Sequence, residues 1–150
     1  MTPGRRPLRF DSFEQIMPDV ERLLEGATTI GNWSFAQICR HLSTTLRLTV
    51  DLPASTPRDP SKWIAKELRE QIFETGQLPE GYPTLPSIVP TETLSERSEA
   101  EGLRDAIAHY KASDGPVIPH IYVGPMTKAE WDRFQLMHCA HHLSFAIPKT

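Results

Sequence analysis

Apolar positions recur at three- and four-residue intervals in five stretches of the chain, and proline punctuates the gaps between them. The first stretch runs from about Ser12 to Leu24, with Ile16, Val20, Leu23 and Leu24 on one stripe and Ser12 and Gln15 spaced as a capping box. Gly26 stops it, and Pro18 lies deep enough to predict a kink or a late start. The second opens at Ser34, where Gln37 completes another capping box, and runs to about Leu48. The third, from Ser61 to Phe73, follows Pro60 and ends before Gly76, with Trp63, Ile64, Leu68 and Ile72 inward. The fourth, from about Ser95 to Tyr110, places Leu103, Ala106, Ile107 and Tyr110 on one face. The fifth is the clearest: Thr127 and Glu130 form a capping box, and the helix is expected to continue through Phe145 until Pro148 forbids it. Only Ile121-Tyr122-Val123 has the composition of a strand.

The connectors hold Pro53, Pro57 and Pro60, then Pro79, Pro83, Pro86 and Pro90, then Pro116, Pro119 and Pro125. Proline fixes φ and lacks the backbone N–H, so these stretches are not helix interiors. The pattern predicts an all-α fold, most simply a four-helix bundle with an additional helix and long Pro-rich connectors.

Composition narrows the class. A chain of 150 residues is one domain, spanning 1–150, with residues 1–8 expected as a loose N-terminal extension. The net charge of −3 and a pI near 6.1 carry no basic stripe beyond Arg5-Arg6, which argues against nucleic acid. No apolar run approaches the ~18 residues of a membrane helix, and the arginine-bearing start has no apolar run behind it, so neither a membrane nor a secretory signal is expected. Two cysteines, Cys39 and Cys139, are too few for a disulfide framework and suit a cytoplasmic protein with reduced thiols packed in its interior.

The chemistry concentrates in HCAHH, residues 138–142, which holds three of the six histidines. At ~100° per residue, His138 and His142 fall on the same stripe as Trp131, Phe134 and Phe145. That stripe is expected to face the bundle core, with His141 at its edge and Cys139 off it. Two imidazoles one turn apart can share a metal ion, and His41, flanking the apolar face of the second helix, is the candidate third ligand. Three imidazoles from two helices would leave a position open for water or substrate, as a catalytic site requires. A zinc protease of the H-E-x-x-H type is excluded, because position 139 is Cys and the glutamate base is missing. Trp33, Trp131 and Phe134 are expected to wall the site, a role core packing explains equally well. His109 ends the fourth helix, where a solvated cation suits the dipole, and His120 is a candidate pocket residue in its loop.

His41 ending the run NWSFAQICRHL, followed about a hundred residues later by HCAHH, resembles the DinB/YfiT-like superfamily of metalloenzymes. GNWSFAQICRHLSTTLRL, GQLPEGYPTLPSIVP and HIYVGPMTKAEWDRFQLMHCAHHLSFAIP are similar, within that group, to a bacterial subfamily that carries the label domain of unknown function. The resemblance covers roughly residues 8 to 148. It implies a four-helix bundle with one histidine from the second helix and an H-x-x-x-H pair from the last, here His41, His138 and His142. It also implies a divalent metal (zinc, nickel or iron all accept imidazole), a low-molecular-weight thiol as cofactor, a small-molecule substrate, thiol-dependent transferase chemistry and a homodimer. The extra His141 leaves open a pairing of His138 with His141. Two other readings stand beside the enzyme: a module that binds a metal or small ligand without chemistry, and a metal-free helical scaffold.

Overall fold

A computed structural model describes residues 2–81 and 94–149. Its α-helices are α1 (Ile16–Leu24), α2 (Phe35–Asp51), α3 (Lys66–Thr75), α4 (Glu96–Ala112) and α5 (Lys128–Leu143). Two short strands, β1 (Ala27–Thr29) and β2 (Ala146–Pro148), complete a mostly helical chain. Pro83, Pro86 and Pro90 of the second connector lie outside the described residues.

The helix starts follow local hydrogen bonding. Ser34 and Thr127 each accept the backbone N–H three residues on, while Gln37 and Glu130 reach back to the cap N–H, so both expected capping boxes form. The Ser12 box does not. Gln15 Oε1 instead accepts the Asp11 N–H at 2.7 Å, a 3₁₀ turn occupies Phe13–Gln15, and α1 begins late at Ile16. Pro18 then falls in the first turn of α1, where N–H groups have no intrahelical acceptor, so its missing donor does no harm. The third helix also starts later than its pattern suggests. Pro60–Lys62 form a 3₁₀ turn, and Trp63 and Ile64 sit in an extended link whose Ile64 N–H donates to Tyr122 O at 2.7 Å. Gly76 ends α3 with φ 72°, its N–H returning to Ile72 O.

α5 stops at Leu143, two residues short of expectation, because the chain there turns into β2. Ala146, Ile147 and Pro148 pair antiparallel with Thr29, Thr28 and Ala27. Ile121-Tyr122-Val123 is not a strand but the tip of a turn closed by reciprocal backbone bonds between His120 and Gly124 (2.9 and 3.0 Å). Gly124 adopts φ +87°, and a Cβ there would lie 3.0 Å from the Trp63 ring, so glycine is required on both counts.

α2 packs against α4 and α5, and α1 packs against α4. The main core joins Val20 and Leu23 of α1, Ile38, Leu42 and Leu46 of α2, Leu103 and Tyr110 of α4, and Leu136, Cys139 and Leu143 of α5. A smaller cluster unites Ile72, Val123, Phe134 and Met137. No helix among the described residues is long and apolar enough to cross a membrane.

Arg5 and Arg6, placed by the sequence at a loose end, are tied to the end of α5 and the residues after it. Arg6 makes a bidentate pair with Asp19 (2.8 and 2.9 Å) and donates to Leu143 O and Ala146 O. Both members of this pair are largely shielded, unlike the exposed Arg9–Asp11 pair. Arg6→Gln should therefore lower the free energy of unfolding by roughly 3 kcal/mol in urea melts, and Arg9→Gln should leave it almost unchanged. Equal effects would show that the Arg6 network does not anchor the chain.

Candidate metal centre

His41 points from α2 toward α5, and His138 and His142 answer it from successive turns of α5. One nitrogen from each lies within 4.8 Å of the others. His41 Nε2 and His138 Nε2 are 3.3 Å apart. A tetrahedral zinc ion with Zn–N bonds of ~2.0–2.1 Å sets its nitrogen ligands about 3.3–3.4 Å from each other, so this pair already has the required spacing. The three rings stand edge to face, with interplanar angles of 63°, 66° and 90°. The group could hold a metal ion.

Aromatic rings hold these imidazoles in place. Trp33 stacks on His142 (5.4 Å, 11°) and tilts against His41 at 4.9 Å. Phe134 lies nearly parallel to His138 (6.3 Å, 13°). Burial, then neighbouring histidines, drives His138 and His142 well below the usual imidazole range, so both are neutral and keep a lone pair. Neutral imidazole is the form that ligates.

His141 is arranged differently. Its Nδ1 lies 2.9 Å from Arg5 Nη2, and a guanidinium only donates, so Nδ1 accepts and Nε2 carries the hydrogen. Burial, then the Arg5 charge, pulls His141 down to about 4. It therefore offers the site an N–H donor, and it is outside the convergent three-nitrogen group.

The histidines open on a cavity of about 480 Å³. Its walls are mainly apolar, from Leu48, Ile64, Ile72, Ile118, Trp131 and Phe134. Trp131, Phe134, His138 and His142 of the stripe expected to face the core line this cavity, while Phe145 packs against the main core with Leu136, Cys139 and Leu143, which lie off that stripe. His120 lines the cavity, as its loop position suggested. His109 does not; it pairs with Asp51 at 2.6 Å near the surface. Burial pushes the Cys139 thiol up to about 12 and raises Cys39 as well, so both are inert packing residues. Sequence reasoning missed Arg5, Arg58, Thr45, Thr49 and Gln135. Arg58, Thr45, Thr49 and Gln135 line the cavity, and Arg5 reaches its rim through His141. No local pattern marks any of them.

A family model described as "Protein of unknown function (DUF1569)" matches residues 3–149, and the chain belongs to that family. No curated protein and no solved structure matches it.

The buried histidines make stability depend on pH with a definite sign. His120, held at about 4 by burial and then by Arg58, stays neutral in the folded chain, whereas the unfolded chain protonates near 6.5. Between those values the unfolded state binds more protons, so stability is full above pH 6.5 and falls as pH drops toward 4. Each such histidine contributes up to ~1.4 kcal/mol per pH unit in that window. Urea midpoints of EDTA-treated protein should fall steeply from pH 6.5 to 5, largely above the range where carboxylates titrate, and His120→Gln should flatten the slope. A midpoint constant down to pH 5 would contradict burial of neutral imidazoles.

Proposed function

We propose that the chain is a metal-dependent enzyme acting on a small molecule, with a divalent ion held by His41, His138 and His142. On this reading α1, α2, α4 and α5 are the four helices of a DinB-like bundle and α3 is the additional one. The observation that carries the proposal is the convergence of three imidazole nitrogens, from two helices, onto one apolar-walled cavity. Three protein ligands are the signature of a site with an open position, whereas structural sites close the shell with four.

When bound, a zinc, nickel or iron ion would act as a Lewis acid and lower the pKa of a water or a low-molecular-weight thiol, supplying the nucleophile of a transferase or hydrolase. The chain does the rest. His41, His138 and His142 present lone pairs toward a common point, and Trp33 and Phe134 fix two of the rings by stacking. The mainly apolar walls offer few partners to water and lower the local dielectric, which strengthens electrostatic contacts inside. His141, locked in one tautomer by Arg5, holds a proton on Nε2 at the cavity rim, where it can donate to a developing negative charge.

The test is metal content per chain, by mass spectrometry, on protein made without a histidine tag. Near-stoichiometric metal is expected in the parent and in His141→Ala, and loss is expected in His41→Ala, His138→Ala and His142→Ala. A parent that takes up no zinc, nickel or iron on incubation would overturn the proposal. Metal retained in His142→Ala but lost in His141→Ala would reassign the third ligand.

A further inference from the structure

The three histidines account for only part of the cavity, and two other polar side chains open on it from the loops. Arg58, half-buried in the segment after α2, donates from Nε to Pro119 O (2.9 Å) and from Nη1 to Pro57 O (3.1 Å). These bonds position the guanidinium without neutralising it. Among the described residues no carboxylate pairs with Arg58. Guanidinium cannot shed its proton, so a full positive charge borders the cavity.

His120 supplies the second donor. Its Nδ1 accepts the backbone N–H groups of Tyr122 (3.0 Å) and Val123 (3.1 Å), which forces the hydrogen onto Nε2. That Nε2–H has no partner among the described residues, yet it is not sealed in the interior: the buried side-chain donor left without a partner there is the Trp63 indole. Nε2 therefore opens on the cavity that His120 lines. Burial, then the nearby Arg58 charge, keeps the ring neutral, so it remains a single N–H donor.

We propose that Arg58 and His120 anchor a carboxylate, and that the cavity takes a small carboxylic acid with an apolar body. This rests on the reading of the cavity as the enzyme's substrate site and names the substrate class. A planar guanidinium matches the two oxygens of a carboxylate, and the imidazole N–H adds a third bond. The anchor carries one net positive charge. In the metal-free cavity a monoanion balances it, whereas a phosphate dianion would leave a charge among Leu48, Ile64 and Ile118, where desolvation is costly. The Phe134 ring lies between the anchor and the metal ligands, 4.7 Å from the His120 ring and 6.3 Å from His138. A carboxylate held by Arg58 and His120 thus places carbons a few bonds away beside the three histidines.

Calorimetric titration of the EDTA-treated protein with hexanoate, hexanamide and hexyl phosphate tests the proposal, because these share one apolar body and differ in the head group. Hexanoate should bind at least about tenfold more tightly than hexanamide, as expected for hydrogen bonds to a charged group, and more tightly than hexyl phosphate. Arg58→Gln, with an unchanged circular-dichroism melt, should erase the preference for hexanoate over hexanamide. Equal affinities for those two, tighter binding of hexyl phosphate, no binding of any of the three, or a preference that survives Arg58→Gln would each overturn it. The comparison in the parent decides even where Arg58→Gln does not fold. Because the titration is done without metal, a chain that binds no metal but prefers hexanoate fails only the metal reading. A chain that binds metal but ignores the head group fails only the carboxylate anchor.

Discussion

The site depends on α5 being enclosed on nearly every side. Beyond its first turn only Arg133 is exposed. A helix buried all round is ordinarily apolar all round, yet one face of α5 carries His138 and His142. That face can be polar because a cavity, rather than another helix, lies across from it. The rotation of α5 about its axis then decides the chemistry, since a turn of one residue would drive the imidazoles into the core and expose Leu143. Both ends hold that rotation. Thr127 and Glu130 cap the start, while Arg6 grips the Leu143 carbonyl and β2 pairs with β1 at the finish.

Enclosure also sets the protonation state. Desolvation disfavours imidazolium at His138 and His142, and neighbouring histidines, His41 beside His138 and His138 beside His142, disfavour it further. The cost of burying these rings is offset by contacts with Trp33 and Phe134 and by their edge-to-face contacts with one another. What results is a pair of neutral imidazoles, His138 and His142, beside His41 near neutral pH. Preorganisation of this kind reduces the rearrangement needed when a ligand arrives.

Legibility in the sequence followed the range of the interaction. The Ser34 and Thr127 capping boxes bond residues three apart, so the starts of α2 and α5 could be read directly. The Ser12 box has the same spacing and failed, because Gln15 found the Asp11 N–H instead. β1 and β2 are three residues each, too short to show alternation, and their pairing joins residues more than a hundred positions apart. Periodicity placed His138, His142, Trp131 and Phe134 on one stripe, but it says nothing about what lies opposite, so the cavity was read as core. Arg58 and Arg5 meet Pro119 and His141 far along the chain. Nothing near them in sequence announces those contacts.

Charge balance within the cavity narrows what it can accept. Among the described residues lining it there is no aspartate, glutamate or cysteine; the polar lining is histidine, threonine, glutamine, tyrosine and Arg58. Cys39 and Cys139 lie in the main core and hold their protons tightly, so the chain offers no thiolate of its own. Neutral imidazoles leave the charge of any divalent ion they bind uncompensated, and Arg58 adds another positive charge to the same apolar-walled space. Excess charge of one sign is costly in such a space. On the proposed reading, a metal-bound anion and the substrate's carboxylate, both arriving from solution, would reduce it. On that reading, the anionic nucleophile and the carboxylate-bearing molecule would meet across the Phe134 ring, whose centroid lies 4.7 Å from that of His120 and 6.3 Å from that of His138.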